Sequence, residues 1–273
     1  MTNNYERIPD YVDPVCADLR TDSKYFLSKK NVRATLLAGY SIGAFMIVAV
    51  MLVSYAIIFT TPLMNEEHAI YANVLFYASI WFGIFVLLPG IYCGMYDVLL
   101  KLSLGAKATI TDLFKYYTSP RMFVRSIGIF VRSNWFLLGV GVMLIITALG
   151  SELARNASTE TLKKEIEEIF GSAFILYLSV GFMIWGGFRK RIFIFLPYAV
   201  ENPQVSLKQC FAASKRMNTA FFRKSFPNDF PVTFFWLLLS LLTVGILFVL
   251  HVGPMMMSKK INYYRSCMVN KFN

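Results

Sequence analysis

Residues 34–59 read ATLLAGYSIGAFMIVAVMLVSYAIIF, without one charged side chain. An apolar run of about 18 residues or more, coiled as a helix, is long enough to cross a hydrocarbon core of roughly 30 Å. A helix of a water-soluble domain would interrupt such a run with a polar face at every turn. The stretch therefore predicts a transmembrane helix. Further apolar runs occupy residues 74–100, 126–149, 169–188 and 226–258.

Composition points the same way. The 273-residue chain is 56% hydrophobic and 16% charged, with 25 Phe and 13 Met, whereas soluble domains average about 25% charged residues. The first 33 residues are polar. Arg7, Arg20, Lys24, Lys29, Lys30 and Arg33 precede the first apolar run, which reads as a retained anchor rather than a cleaved signal. Cys16, Cys93, Cys210 and Cys267 form no CxxC pair and no zinc-ligand spacing. They read as small apolar residues, and no metal or cofactor is expected.

Breakers divide the runs. Thr60-Thr61-Pro62 closes the first span, because proline cannot continue the hydrogen-bond ladder. Pro89-Gly90 should kink the second. Between spans two and three, Ile110, Leu113, Phe114 and Tyr117 share one helix face, and Thr111 or Asp112 is placed to cap its start. An acidic outer loop leads into a helix starting near Thr159, which continues into span four. Arg189-Lys190-Arg191 marks the inner end of that span, and the apolar stretch 192–200 follows. Ser206 can cap a second amphipathic helix, with Leu207, Cys210, Phe211, Ser214, Met217 and Phe221 on one face.

The last apolar region, 226–257, reads either as one long tilted helix or as two short helices turning at Thr243-Val244-Gly245. Charge decides between them. With six spans, 24 of the 27 Lys and Arg fall on one side: six before residue 34, six in 101–132, eight in 189–224 and four after residue 258. The bias of Lys and Arg in short loops sets orientation, with the richer side cytoplasmic. The expectation is thus all-α: an integral membrane helical bundle of about six transmembrane helices with two interfacial amphipathic helices. The spans fall at 34–59, 74–100, 126–149, 169–188, 226–243 and 246–258. A basic cytoplasmic segment, 1–33, precedes them and a cytoplasmic tail, 259–273, follows. The sixth span is short and must thin the bilayer or insert only part way.

Two basic-helix stretches resemble each other faintly. Arg121-Met122 and Arg216-Met217 sit at similar places, each followed by Phe and Arg.

Ionisable groups inside a bilayer are costly and hint at function. The candidates here are Asp97, Arg132, Asn134 and His251. Asp97 is placed to pair with Arg132 or Lys101, either as an interfacial salt bridge or as part of a substrate or ion path. His251 is a packing residue or, with a titratable neighbour, a proton relay. No HExxH, GxSxG, paired-carboxylate or phosphate-cradling glycine motif occurs, so no catalytic activity is expected. Asn156-Ala157-Ser158 matches a glycosylation sequon in an outer loop.

A pI near 9.5 raises the question of nucleic acid. Topology and anionic lipid explain the charge without it, since a juxtamembrane Lys or Arg gains about 1 kcal/mol near an anionic leaflet. The amphipathic helices at 110–123 and 206–224 would lie at headgroup level with Phe, Tyr and Met inserted. Their cations Lys115, Arg121, Arg125, Lys208, Lys215, Arg216, Arg223 and Lys224 form the candidate face for anionic lipid or for a membrane protein partner.

Residues 85–265 resemble an uncharacterised family of bacterial six-span membrane proteins, catalogued as domain of unknown function 975. The resemblance lies in GMYDVLLKLSLGAKATITDLF at 94–114, Pro197-Tyr198, Glu201-Asn202-Pro203, Ser214-Lys215-Arg216-Met217, WLLLSLLTVGI at 236–246, Pro254 and Tyr263-Tyr264. Asn218, Leu247 and Met255 depart from the family pattern. The resemblance implies six helices, with a helix-hairpin turn at Thr243–Gly245, and no activity. The expected protein is a multi-pass component of the plasma or inner membrane, cytoplasmic at both ends. It reads as a non-enzymatic accessory or scaffold part of an envelope or transport assembly, with a small transporter or lipid-handling channel as the alternative.

Overall fold

Helix α1, Lys30–Thr60, stops two residues short of Pro62. At its end Thr60 Oγ1 donates back to the Ala56 carbonyl at 2.9 Å, the bond a threonine side chain makes to the carbonyl one turn earlier. In this computed structural model the described residues are 30–60, 69–155, 157–217, 235, 239, 251 and 253–269. Among them every regular element is helical.

The second apolar run forms α2, Ala69–Phe82, a π-helical turn, Gly83–Leu87, and α3, Leu88–Ser103. Within it the Leu88 N–H reaches back to the Gly83 carbonyl. Pro89 explains the wider turn. It has no N–H to give to Phe85, and its ring would crowd that carbonyl in an ordinary α-turn. The distortion expected at Pro89-Gly90 is therefore displaced one turn towards the N-terminus.

Helix α3 ends on Gly105, whose φ of 74° is the left-handed conformation that glycine adopts without a Cβ penalty. Ala106 N–H bonds to the Lys101 carbonyl and Gly105 N–H to that of Leu102, the paired closure of a Schellman end. A 3-10 helix follows, Ile110–Tyr117. The residue before it, Thr109, is extended, and its N–H donates to Asp112 Oδ2 at 2.9 Å. The cap is thus Thr109, with Asp112 completing the box.

Helix α4, Pro120–Arg155, opens with Pro120 at its first position and Ser119 Oγ accepting the Met122 N–H. It breaks once, at Asn134, where φ is −130° and ψ 27°. Helix α5, Glu160–Ile192, starts where its sequence predicts, and Thr159 Oγ1 accepts the Leu162 N–H there. Two short helices follow, α6, Phe195–Glu201, and α7, Leu207–Met217. Ser206 caps α7 reciprocally with Gln209. Helix α8, Gly253–Val269, runs through residues expected to form a cytoplasmic tail.

Three helical stretches among the described residues are long and apolar enough to cross a membrane: Asn31–Thr60, Leu75–Ser103 and Leu138–Arg155. Six were expected. The stretch 226–250, expected to carry the fifth span and the hairpin turn, lies outside the described residues apart from positions 235 and 239.

The chain divides into two compact units. The first comprises 1–41, 90–129 and 188–273, and its core holds Tyr96, Leu113, Tyr116, Phe195, Tyr263 and Tyr264, all fully buried. The second comprises 42–89 and 130–187. In it aromatic rings fill glycine notches: Tyr177 sits against Gly139, Phe170 against Gly150 and Trp81 against Gly141. Small residues allow such close approach of apolar helices where water supplies no driving force between them. The unit exposes large apolar side chains along α1 and α5, with Phe45 73% exposed and Leu52 and Ile175 each 64%. Surfaces of that kind suit lipid better than water.

Candidate functional site: a polar network at the end of α3

Gly94 brings the 3-10 helix onto α3. A Cβ there would overlap the Leu113 backbone carbonyl, and one at Gly90 would meet the Tyr117 ring. This close seating places Lys115 over Asp97. Asp97 is 7% exposed. Its Oδ1 accepts from Lys115 Nζ at 2.6 Å, and its Oδ2 lies 3.1 Å from Lys101 Nζ, one turn along the same helix. Lys101 also donates to Asp112 Oδ1 at 2.9 Å. Two carboxylates and two ammonium groups thus alternate, and the charge closes to zero within the cluster. The Thr109 N–H and then the Lys101 ammonium hold the Asp112 carboxyl below its usual range.

A second fastening uses Arg125, at the start of α4. Its guanidinium donates to the carbonyls of Val205 at 2.8 Å, Asn202 at 2.9 Å and Ala199 at 3.1 Å. These carbonyls lie at the end of α6 and in the turn that follows it, where that of Asn202 also accepts the Val205 N–H. Cys210 lies beside it, 3.9 Å from Nη2. Burial pushes the Cys210 thiol up, and Arg125 only partly offsets this. The buried Tyr116 hydroxyl and Arg125 Nε have no hydrogen-bond partner among the described residues, so this corner keeps a desolvation cost.

A third comes from α8. Arg265 donates to Ser103 Oγ and to the Leu100 carbonyl, each at 3.0 Å, closing the end of α3. Tyr264 donates to Glu201, the last residue of α6. Burial, and next the Glu201 charge, keep the Tyr264 hydroxyl protonated. Lys260 stands over the Phe193 ring.

The candidate residues thus part company. Asp97 pairs with Lys101 and Lys115. Arg132 is exposed and belongs to the second unit. Asn134 is the kink itself, its Nδ2 donating at 3.0 Å to the Phe130 carbonyl. His251 is exposed. Lys115 and Arg125 turn inward to Asp97 and to backbone carbonyls, while Arg121, Lys208, Lys215 and Arg216 are exposed. Arg223 and Lys224 lie outside the described residues, as do Asn156 of the sequon and Cys16.

Glu201, Tyr264 and Arg265 were missed in the sequence. Met257, Ile261 and Tyr264 recur at i, i+4, i+7, a helical face that could have marked α8 as packed. Among the described residues no group of three His, Cys, Asp or Glu is placed to hold a metal ion. The arrangement joins helix ends by charge-assisted hydrogen bonds, and its buried carboxylate is matched by cations. No family model matches the chain, and no curated protein or solved structure matches it either.

Proposed function

We propose that the chain is a six-span protein of the plasma or inner membrane, cytoplasmic at both ends, and that it acts as a non-enzymatic accessory or scaffold component of an envelope or transport assembly. The observation that carries this reading is the neutralisation of Asp97. A carboxylate that serves a substrate or a translocated ion must be able to exchange partners, whereas Asp97 sits between two lysines at the seam of α3 and the 3-10 helix. The exposed cations Arg121, Lys208 and Lys215 remain as the outward chemistry of the basic face, suited to anionic lipid and to an acidic surface of another membrane protein. Nucleic acid is not needed to explain them. The resemblance to the six-span family rests on the residues quoted for it and bears on helix number, not on activity.

A small transporter or lipid-handling channel is the second reading. The π-turn at Gly83–Leu87 and the break at Asn134 favour it, since helix irregularities often mark moving parts.

Reconstitution separates the two. Purified protein in vesicles should pass no ions and flip no lipid above protein-free vesicles. Mild extraction from native membranes should give a stoichiometric complex that Lys208→Glu with Lys215→Glu disrupts. Partner-free transport or lipid turnover would overturn the scaffold reading.

A further inference from the structure

The two amphipathic segments of the basic face are built differently. Helix α7 places Cys210, Ala213 and Ser214 in the protein core, and Phe211 packs its ring on Phe195. Among its described side chains the exposed ones are Lys208, Gln209, Ala212, Lys215 and Arg216, none of them large and apolar.

Segment 104–124 carries apolar side chains of two kinds. Leu113 and Tyr116 are fully buried, the Leu113 backbone seated on Gly94 of α3. Leu104, Ile110, Phe114 and Val124 are instead 64, 62, 40 and 66% exposed. Lys107 and Arg121 are exposed in the same segment. The segment begins where the apolar stretch Leu75–Ser103 ends, so the chain enters it directly on leaving a stretch long enough to cross the hydrocarbon. Large apolar side chains flanked by cations, at the mouth of a span, are the composition of an element lying in the headgroup layer.

We propose that segment 104–124 is a membrane-surface anchor. It inserts Leu104, Ile110, Phe114 and Val124 below the lipid phosphates and sets Lys107 and Arg121 against anionic headgroups, while α7 stays in water. The anchor holds the α3 exit at a fixed depth, because Gly94 locks its inner face to that helix. This rests on the membrane reading above and is independent of the scaffold role.

The test uses the full chain with its cysteines replaced, reconstituted into vesicles of phosphatidylcholine with phosphatidylglycerol. Nitroxides are attached at Ile110→Cys, Phe114→Cys or Lys208→Cys, with Leu52→Cys on α1 as the control for insertion. Oxygen should relax the labels at 110, 114 and 52 more than an aqueous nickel chelate does, and the order should reverse at 208. With Lys107→Gln and Arg121→Gln the labels at 110 and 114 should become more accessible to the chelate, towards the values seen in phosphatidylcholine alone. If the chelate reaches 110 and 114 as readily as 208 while 52 remains lipid-shielded, the face is aqueous or docks a protein, and the anchor is refuted. Indifference to phosphatidylglycerol would overturn the anionic pairing. Partner-free transport would refute the scaffold role and leave the anchor standing.

Discussion

Arg125 stands at the beginning of α4, yet its guanidinium donates to the Val205 carbonyl 2.8 Å away and 80 residues further along the chain. Two more carbonyls share the same fork. Hydrogen bonds from a charged donor contribute about 1.5–3 kcal/mol each in favourable settings, and a single ammonium cannot reproduce the planar fork. Arg125→Lys should therefore lower the free energy of unfolding in detergent nearly as much as Arg125→Gln, by about 1.5–3 kcal/mol. It should also speed maleimide labelling of Cys210. Wild-type stability in Arg125→Lys would show that the carbonyl contacts carry little.

Lys115 and Asp97 should prove energetically coupled. Lys115→Met leaves Asp97 with Lys101 alone. The cost should be about 1–2 kcal/mol, below that of a fully buried pair because the Lys115 side chain is 38% exposed. Added to Asp97→Asn, the same change should cost less, with a coupling of about 0.5 kcal/mol or more in a double-mutant cycle. Strict additivity would mean that the two groups do not sense each other.

Glycines at two places should behave oppositely. Gly94→Ala drives a methyl into the Leu113 carbonyl, so the 3-10 helix must lift from α3, at a cost of about 1–3 kcal/mol. Gly171→Ala in α5 meets open space and should be neutral or stabilising by up to about 1 kcal/mol, the helix propensity gained. Thermal unfolding of the two variants side by side decides this. Equal effects would contradict the close approach of the 3-10 helix to α3.

Acid should loosen the cap of the 3-10 helix. The Asp112 carboxyl is held below its usual value by the Thr109 N–H and by Lys101. A group depressed on folding stabilises above its unfolded pKa, about 3.9, and that stability is lost as pH falls through the lower folded value. Asp112→Asn should therefore be less stable than wild type at neutral pH, with the gap closing below about pH 4. A gap constant with pH would exclude the ionised cap.

How much of this was legible in the sequence depended on whether a signal was local. The apolar runs gave α1, α3 and much of α4, because hydrocarbon-length helices need no tertiary information. Ser206 was a readable cap, since a cap and its partner lie within one turn. The cap of the 3-10 helix was misplaced by two or three residues, because Thr109, Thr111 and Asp112 all have capping side chains, while the extended residue before the helix is Thr109. The direction of Lys115 and Arg125 was not readable. A lysine or arginine on an amphipathic face looks the same whether it meets lipid or reaches a carbonyl 80 residues away. Helix α8 was hidden by its polar composition, and its packing depends on Glu201 and Ser103, both distant in sequence.

Everything proposed for the basic face requires it to lie on one side of the membrane, and the six-span reading returns the C-terminus to that same side. Single cysteines at Glu66, Asn156 and Lys271, in an otherwise cysteine-free chain, test this with a membrane-impermeant maleimide. Glu66→Cys and Asn156→Cys should label in intact cells, and Lys271→Cys only after permeabilisation. Labelling of Lys271→Cys in intact cells would put the C-terminus outside and contradict the six-span arrangement.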